Sequence, residues 1–401
     1  MSGLERLGAA EALRRISRRE ISAEELLRDC LERIEQREPA VQAWEAIDRA
    51  PRPTEDSRLR GLPVGVKDLI DTADFPTAYG SAIYRGHRPE ADAACVQSLR
   101  RTGAVILGKT VTTEFAVYTP GKTKNPHDLS RTPGGSSSGS AAAVADFMVP
   151  AALGTQTAGS VIRPASFCGV IGWKPSFGLL PMADIHPLAP SLDTLGFFVR
   201  EVEDVPLLMT ALGVPTQLRA IEPRLGFCRT EEWPLCQTKD LIESAAGKLG
   251  AEEVVLGPSF GGLMQSQIAI MGAEAARSMR EDRARLSPRL REFLDAGARV
   301  TAEQLEAARA QAEICRREID ALFARFDALI TPAANGEAPP LETTGDPAFA
   351  RIWTLLGTPA VSLPLLEGPS GLPVGLQLVG PRGEDERLLA AANWVAQRGR
   401  A

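Results

Sequence analysis

Short apolar runs alternate with amphipathic stretches along this whole chain, and no low-complexity linker interrupts them. LPVGVKDLID reads as a strand, DAACVQSLRRTG as a helix and AVILGK as a buried strand behind it, a strand–helix–strand unit. Beyond residue 203, RLGFCRT and EEVVLG read as strands. MGAEAARSMREDRARL, SPRLREFLDAG and TAEQLEAARAQAEICRREIDALFARF read as amphipathic helices. DALITPAA is another buried strand, TPAVSLPLL and LPVGLQLVG pair across the turn LEGPSG, and EDERLLAAANWVAQR is a closing helix. At the N-terminus, EALRRIS and ISAEELLRDCLERIEQRE are helices, the second opened by a Ser22–Glu25 capping box, and the polar, Pro-rich residues 50–62 are a loop. Such alternation without an internal repeat predicts one α/β domain over residues 1–401, a central mixed β-sheet flanked by helices. Residues 1–60 supply N-terminal helices and 61–200 the core that carries the chemistry. Residues 201–325 add a mainly helical elaboration, and 326–401 bring the strands and helix that complete the core.

Several function classes are disfavoured by composition. The net charge is −6 with no long basic run, which argues against a nucleic-acid partner. There is no apolar run of membrane-spanning length, and the N-terminal MSGLERLGAAEALRRIS lacks the apolar stretch of a signal peptide. Six scattered cysteines show neither CxxC nor His/Cys metal spacing, so free thiols in a reducing cytoplasm are expected, with no metal and no cofactor.

Three stretches carry candidate chemistry. TPGGSSSGSAAAVA, residues 132–145, is a glycine-serine loop that runs straight into a helix of alanines. Glycines let backbone approach a ligand, and a helix N-terminus offers free N–H groups; the GxxxxGK[ST] phosphate-loop spacing is absent. Lys67 sits in the apolar strand PVGVKDLID. It is either a snorkelling or salt-bridged lysine, with Asp68 or Asp71 as partner, or a desolvated base of lowered pKa. Ser160, in the glycine turn of GTQTAGSVIRPASFCG, is either a turn residue or a nucleophile. The chain's three histidines, His87, His127 and His186, leave few candidates for a serine–histidine pair. Lys174 reads as a structural hydrogen-bond donor, His87 as a loop residue and Trp353 as core or pocket wall.

Taken together, these stretches resemble the amidase signature hydrolases. The resemblance rests on GVKD at Lys67, GGSSSGSAAAVA from Gly134, GTQTAGSVIRPASFCGVIGWKPS from Gly154, SLDTLG at 191–196, GTPAVSLPL and GLPVGLQLVGP. Ser136 stands 24 residues before Ser160, the family interval. The resemblance implies that Ser160 is the acyl-accepting nucleophile, that Ser136 lies on a cis peptide bond and bridges Ser160 to Lys67, and that Lys67 is base and then acid. A Ser–Lys pairing is a known variant of triad logic. It further implies an oxyanion hole from the backbone N–H groups of Thr157, Ala158, Gly159 and Ser160. Ala158 stands where the family commonly has glycine, and Gln156 where aspartate is usual.

The compact length, IRPA after the serine and TTGDPAFARIWTLLG resemble the malonamidase-like members. That likeness implies that Arg163 holds a substrate carboxylate; the alternative is a structural arginine paired with Asp193 or Glu114. The expected activity is cleavage of a small, carboxylate-bearing amide, malonamate-like, to acid and ammonia through an acyl-enzyme. Larger amides and carbamoyl compounds stay open. A different reading is the glutaminase component of a tRNA-dependent amidotransferase; GTQTAG in place of GTDTGG, and Ile162-Arg163 after the serine, speak against it. The expected partners are a small-molecule amide and, by resemblance, a second copy in a homodimer, with neither nucleic acid nor membrane.

Overall fold

The computed structural model describes residues 3–53 and 57–399; positions 54–56 of the expected loop lie outside the described residues. Among these residues eleven strands form one sheet. They are β1 (Trp44–Ile47), β2 (Pro63–Lys67), β3 (Val105–Thr110), β4 (Ala151–Gln156), β5 (Ile171–Lys174), β6 (Thr194–Val199), β7 (Leu225–Cys228), β8 (Glu252–Val254), β9 (Ala328–Pro332), β10 (Ala360–Glu367) and β11 (Pro373–Val379). Their spatial order is β1-β3-β2-β4-β6-β5-β10-β11-β9-β7-β8. β2 is parallel to β3 and β4, and β7 to β8 and β9; the other pairs are antiparallel. The fold is thus the single-domain α/β architecture with a mixed central sheet.

The flanking helices are α1 (Ala9–Ser17), α2 (Ala23–Val41), α3 (Ala94–Arg101), α4 (Ser138–Ala145), α5 (Ile162–Cys168), α6 (Asp204–Ala211), α7 (Lys239–Lys248), α8 (Leu263–Ser278), α9 (Pro288–Ala298), α10 (Ala302–Leu322), α11 (Ala348–Leu356) and α12 (Asp385–Gly399). The Ser22–Glu25 capping box opens α2. Side-chain alternation along the central strands explains why both sheet faces are covered. Ala151 and Leu153 of β4 join one apolar cluster and Ala152 the other; Phe197 and Phe198 of β6 divide in the same way. Every residue of β2 and β4 is buried. No helix among the described residues is long and apolar enough to cross a membrane. The six cysteines are free and buried.

The structure departs from the sequence reading at the segment after Ser160. The sequence reading assigns no helix there, yet Ile162–Cys168 form α5, followed by strand β5 at Ile171–Lys174. α11 was not expected as a helix; all nine of its residues are buried.

Candidate active site

β2 and β4 lie side by side and parallel, with Val66 opposite Leu153, so their carboxyl ends open at one edge of the sheet. Open α/β sheets commonly hold ligands there. Lys67 ends β2 and is fully buried. Its Nζ lies 2.7 Å from Ser136 Oγ, 2.8 Å from Thr155 Oγ1 and 3.5 Å from Thr155 O. The aspartates proposed as salt-bridge partners are engaged elsewhere. Asp68 faces Lys109 at 3.8 Å, and Asp71 accepts from the Tyr79 hydroxyl. Burial without a contacting carboxylate pushes the Lys67 ammonium well below its ordinary 10.5, opposed only by the more distant charge of Asp193.

The serine-rich loop is built for close approach. Gly134 takes a left-handed φ of 85°, and the Gly135–Ser136 bond is cis. Ser138 Oγ donates to Gly134 O at 2.8 Å, which ties the loop to the first turn of α4. The small residues of α4 let it press onto the strand edge. A Cβ on Gly139 would stand 2.1 Å from Ala43 O and 2.4 Å from Val111 N. Because backbone cannot yield there, Gly139→Ala is expected to cost about 1–3 kcal/mol or more of stability. Chemical denaturation of the variant checks this.

Downstream of β4, Gln156 organises the turn that presents Ser160. Its Oε1 accepts from the N–H groups of Val161 (2.8 Å) and Ile162 (3.0 Å), satisfying donors at the start of α5. Its Nε2 donates to Thr354 Oγ1 at 3.0 Å. A neutral amide serves here because it must both accept and donate. The N–H groups of Thr157, Ala158, Gly159 and Ser160 meet no acceptor among the described residues. Gly159 lies close under α11, where a Cβ would come 2.9 Å from Pro347 Cβ. Ala158, a source of strain if glycine dihedrals were needed, is absent from the left-handed region and carries none.

Ser136, Thr157, Ala158, Ser160 and Arg163 line one tight cavity of about 30 Å³. The Lys67–Ser136 contact is formed, and no hydrogen bond joins Ser160 Oγ to Ser136 among the described residues. Far larger hollows exist, one of about 720 Å³ around Asp327, Glu384 and Arg387, but none of the catalytic candidates Lys67, Ser136 and Ser160 lines it.

Arg163 is buried in the same cavity. Its Nη2 donates to Gly135 O at 2.6 Å, while Nε and Nη1 have no partner among the described residues. Neither Asp193 nor Glu114 pairs with it. Asp193 accepts from Thr157 Oγ1 and from the N–H groups of Leu188 and Ala189, and Glu114 accepts from Ser81. Burial, and then the positive charge of Arg351, depress Arg163 to about 9. Arg351, Thr155 and Gln267 were not singled out from the sequence. Arg351 on α11 also lines the cavity, and its Nη1 donates to Gln267 Oε1. Arginine inside the apolar run AFARIWTLL is the same signal that marked Lys67 in PVGVK.

Known proteins resemble this chain over nearly its whole length. The Amidase family profile matches residues 11–221 and 263–389. A glutamyl-tRNA(Gln) amidotransferase component from Thermus thermophilus is 32% identical over 454 aligned positions, covering 96% of this chain and 95% of that one. A solved structure described as "an unexpected vestigial protein complex" that reveals the origins of an s-triazine catabolic enzyme superposes with a TM-score of 0.88 at 27% identity, covering 98% of both chains. A crystal structure of an amidase does so with a TM-score of 0.84 at 30% identity, covering 98% of this chain and all of the other. These relatives correct the expected partner set of a small amide, no nucleic acid and at most a second copy. Proteins matched over nearly their whole length are named as one component of a tRNA amidotransferase, or described as a protein complex. Protein contacts are made by surface residues on which the catalytic motifs are silent, so the motifs gave no sign of them. With catalytic candidates, fold and whole-chain similarity in agreement, the chain belongs to the amidase family and is an amide-cleaving enzyme.

Proposed function

We propose that this enzyme releases ammonia from a small amide that carries a carboxylate. The observation that carries the reading is the pairing, in one cavity, of Ser160 with two arginines that no carboxylate contacts among the described residues. A guanidinium forks onto a carboxylate through two N–H groups, and Arg163 keeps Nε and Nη1 free for such a contact.

In this reading Lys67, whose charged form burial disfavours, draws the Ser136 proton when neutral, as Ser136 takes that of Ser160. The approach of Ser160 Oγ to Ser136 Oγ on substrate binding completes the relay. Ser160 Oγ then bonds to the amide carbon, and the oxyanion is held by N–H groups of residues 157–160. Protonated Lys67 returns the proton through Ser136 to the leaving nitrogen, and the C–N bond breaks. Water, deprotonated by the same route, releases the acid from Ser160.

Two substrates fit the class. The relatives' names favour glutamine, cleaved within a protein assembly. The cavity favours a compact amide without an ammonium group, malonamate-like, because no Asp or Glu lines it to receive glutamine's α-ammonium. Ammonia release from glutamine, malonamate and neutral propionamide separates them, measured on the purified chain and on whatever complex it forms in its own cells. Turnover of glutamine only in the complex supports the first reading, and turnover of malonamate by the chain alone the second. Preference for propionamide would sink both.

Arg351→Leu is expected to raise KM for carboxylate-bearing amides about 10–100-fold, the worth of a charge-assisted contact, and to leave the KM of propionamide unchanged. Arg163→Ala differs: Arg163 also holds Gly135 O, so kcat for propionamide falls too.

A further inference from the structure

Helix α8 belongs to the 201–325 elaboration, yet it reaches the turn that presents Ser160. Gln267 is fully buried on that helix. Its Nε2 donates to Thr157 O at 3.0 Å, and its Oε1 accepts from Arg351 Nη1. Thr157 C=O and Ala158 N–H are two ends of one peptide group. A donor on that carbonyl polarises the amide and fixes the direction of the N–H. Farther along the same helix, Glu274 accepts from Ser191 N and Oγ at 2.9 and 2.7 Å, bracing the loop whose Asp193 holds Thr157 Oγ1.

We propose that Gln267 is a positioning residue that couples the arginine end of the cavity to the oxyanion-forming peptide Thr157–Ala158. The proposal rests on the reading of Ser160 as nucleophile and of Ala158 N–H as an oxyanion donor. Arg351 fixes the amide orientation, since a guanidinium only donates and so selects Oε1, which leaves Nε2 for Thr157. An anion bound at Arg351 therefore acts on an arginine already tied to the oxyanion loop. Specificity and rate share one hydrogen-bonded chain.

Gln267→Glu divides the chain. A carboxylate still accepts from Arg351 but, ionised, cannot donate to Thr157 O; Gln267→Met removes both contacts at similar volume. The readout is labelling of Ser160 by a neutral fluorophosphonate, resolved into maximal rate and half-saturating concentration. Both variants are expected to lose about tenfold or more in maximal rate at unchanged half-saturation, below the 10²–10³ typical for outright loss of an oxyanion donor. Arg351→Leu should lose less with this neutral probe. A wild-type maximal rate in Gln267→Glu overturns the proposal while leaving Ser160 as nucleophile. Wild-type protein that fails to label at Ser160 overturns the nucleophile reading, and this proposal with it.

Discussion

Ser160→Ala is expected to lower turnover on the order of 10⁶-fold, the scale seen when a serine nucleophile is removed from a unit that acts together. The fold should be kept. Ser160 is buried, and among the described residues its Oγ makes no hydrogen bond that alanine would orphan. Because the three groups act in series, the double variant Ser160→Ala with Lys67→Met should be no slower than Ser160→Ala alone. Ammonia release under saturating substrate measures both. Independent, multiplying losses would show that Lys67 serves something other than Ser160.

Lys67→Met carries the second large effect, a fall of about 10²–10⁴-fold, the usual contribution of a positioned general base. Methionine matches the lysine stem in a fully buried site, so melting should change little while activity collapses. The pH dependence gives a sharper signature. Burial lowers the folded-state pKa of Lys67 well below 10.5, and the base works only when neutral. Its working fraction therefore grows as pH rises through that lowered value and is complete above it. The wild-type kcat/KM should climb with pH and level off well before pH 10.5, whereas Lys67→Met should lose that rise. A profile that keeps climbing toward 10.5 would mean an ordinary, solvated lysine.

Local chemistry was legible in the sequence, and tertiary consequences were not. A lysine in an apolar strand, a serine loop opening a small-residue helix and a serine in a glycine turn each leave a trace in the chain. Those three stretches meet at the ends of β2 and β4. Helix α5 was missed because its start depends on Gln156 accepting from Val161 and Ile162, a side-chain contact with no period in the sequence. Arg351 left the same trace as Lys67, a lone cation in an apolar run, but nothing local in the chain ties α11 to the cavity at Ser160. Thr155 is silent for another reason: a hydroxyl within a buried strand is ordinary until a lysine amine is found 2.8 Å away. Gln267 lies more than a hundred residues from Thr157, in an elaboration that composition could only describe as helical. The partner set failed for want of any motif, since protein contacts reside on surface residues.

Everything proposed for this enzyme depends on Ser160 as the nucleophile and on Lys67 activating it through Ser136. Peptide mass spectrometry of the fluorophosphonate-labelled enzyme, run on the wild type and on Lys67→Met, puts both roles to one test. The expected outcome is a single adduct on Ser160 in the wild type, none on Ser136, Ser137 or Ser138, and labelling at least about a hundredfold slower in Lys67→Met. An adduct on another serine, or equal labelling of Ser160 in both proteins, would contradict it.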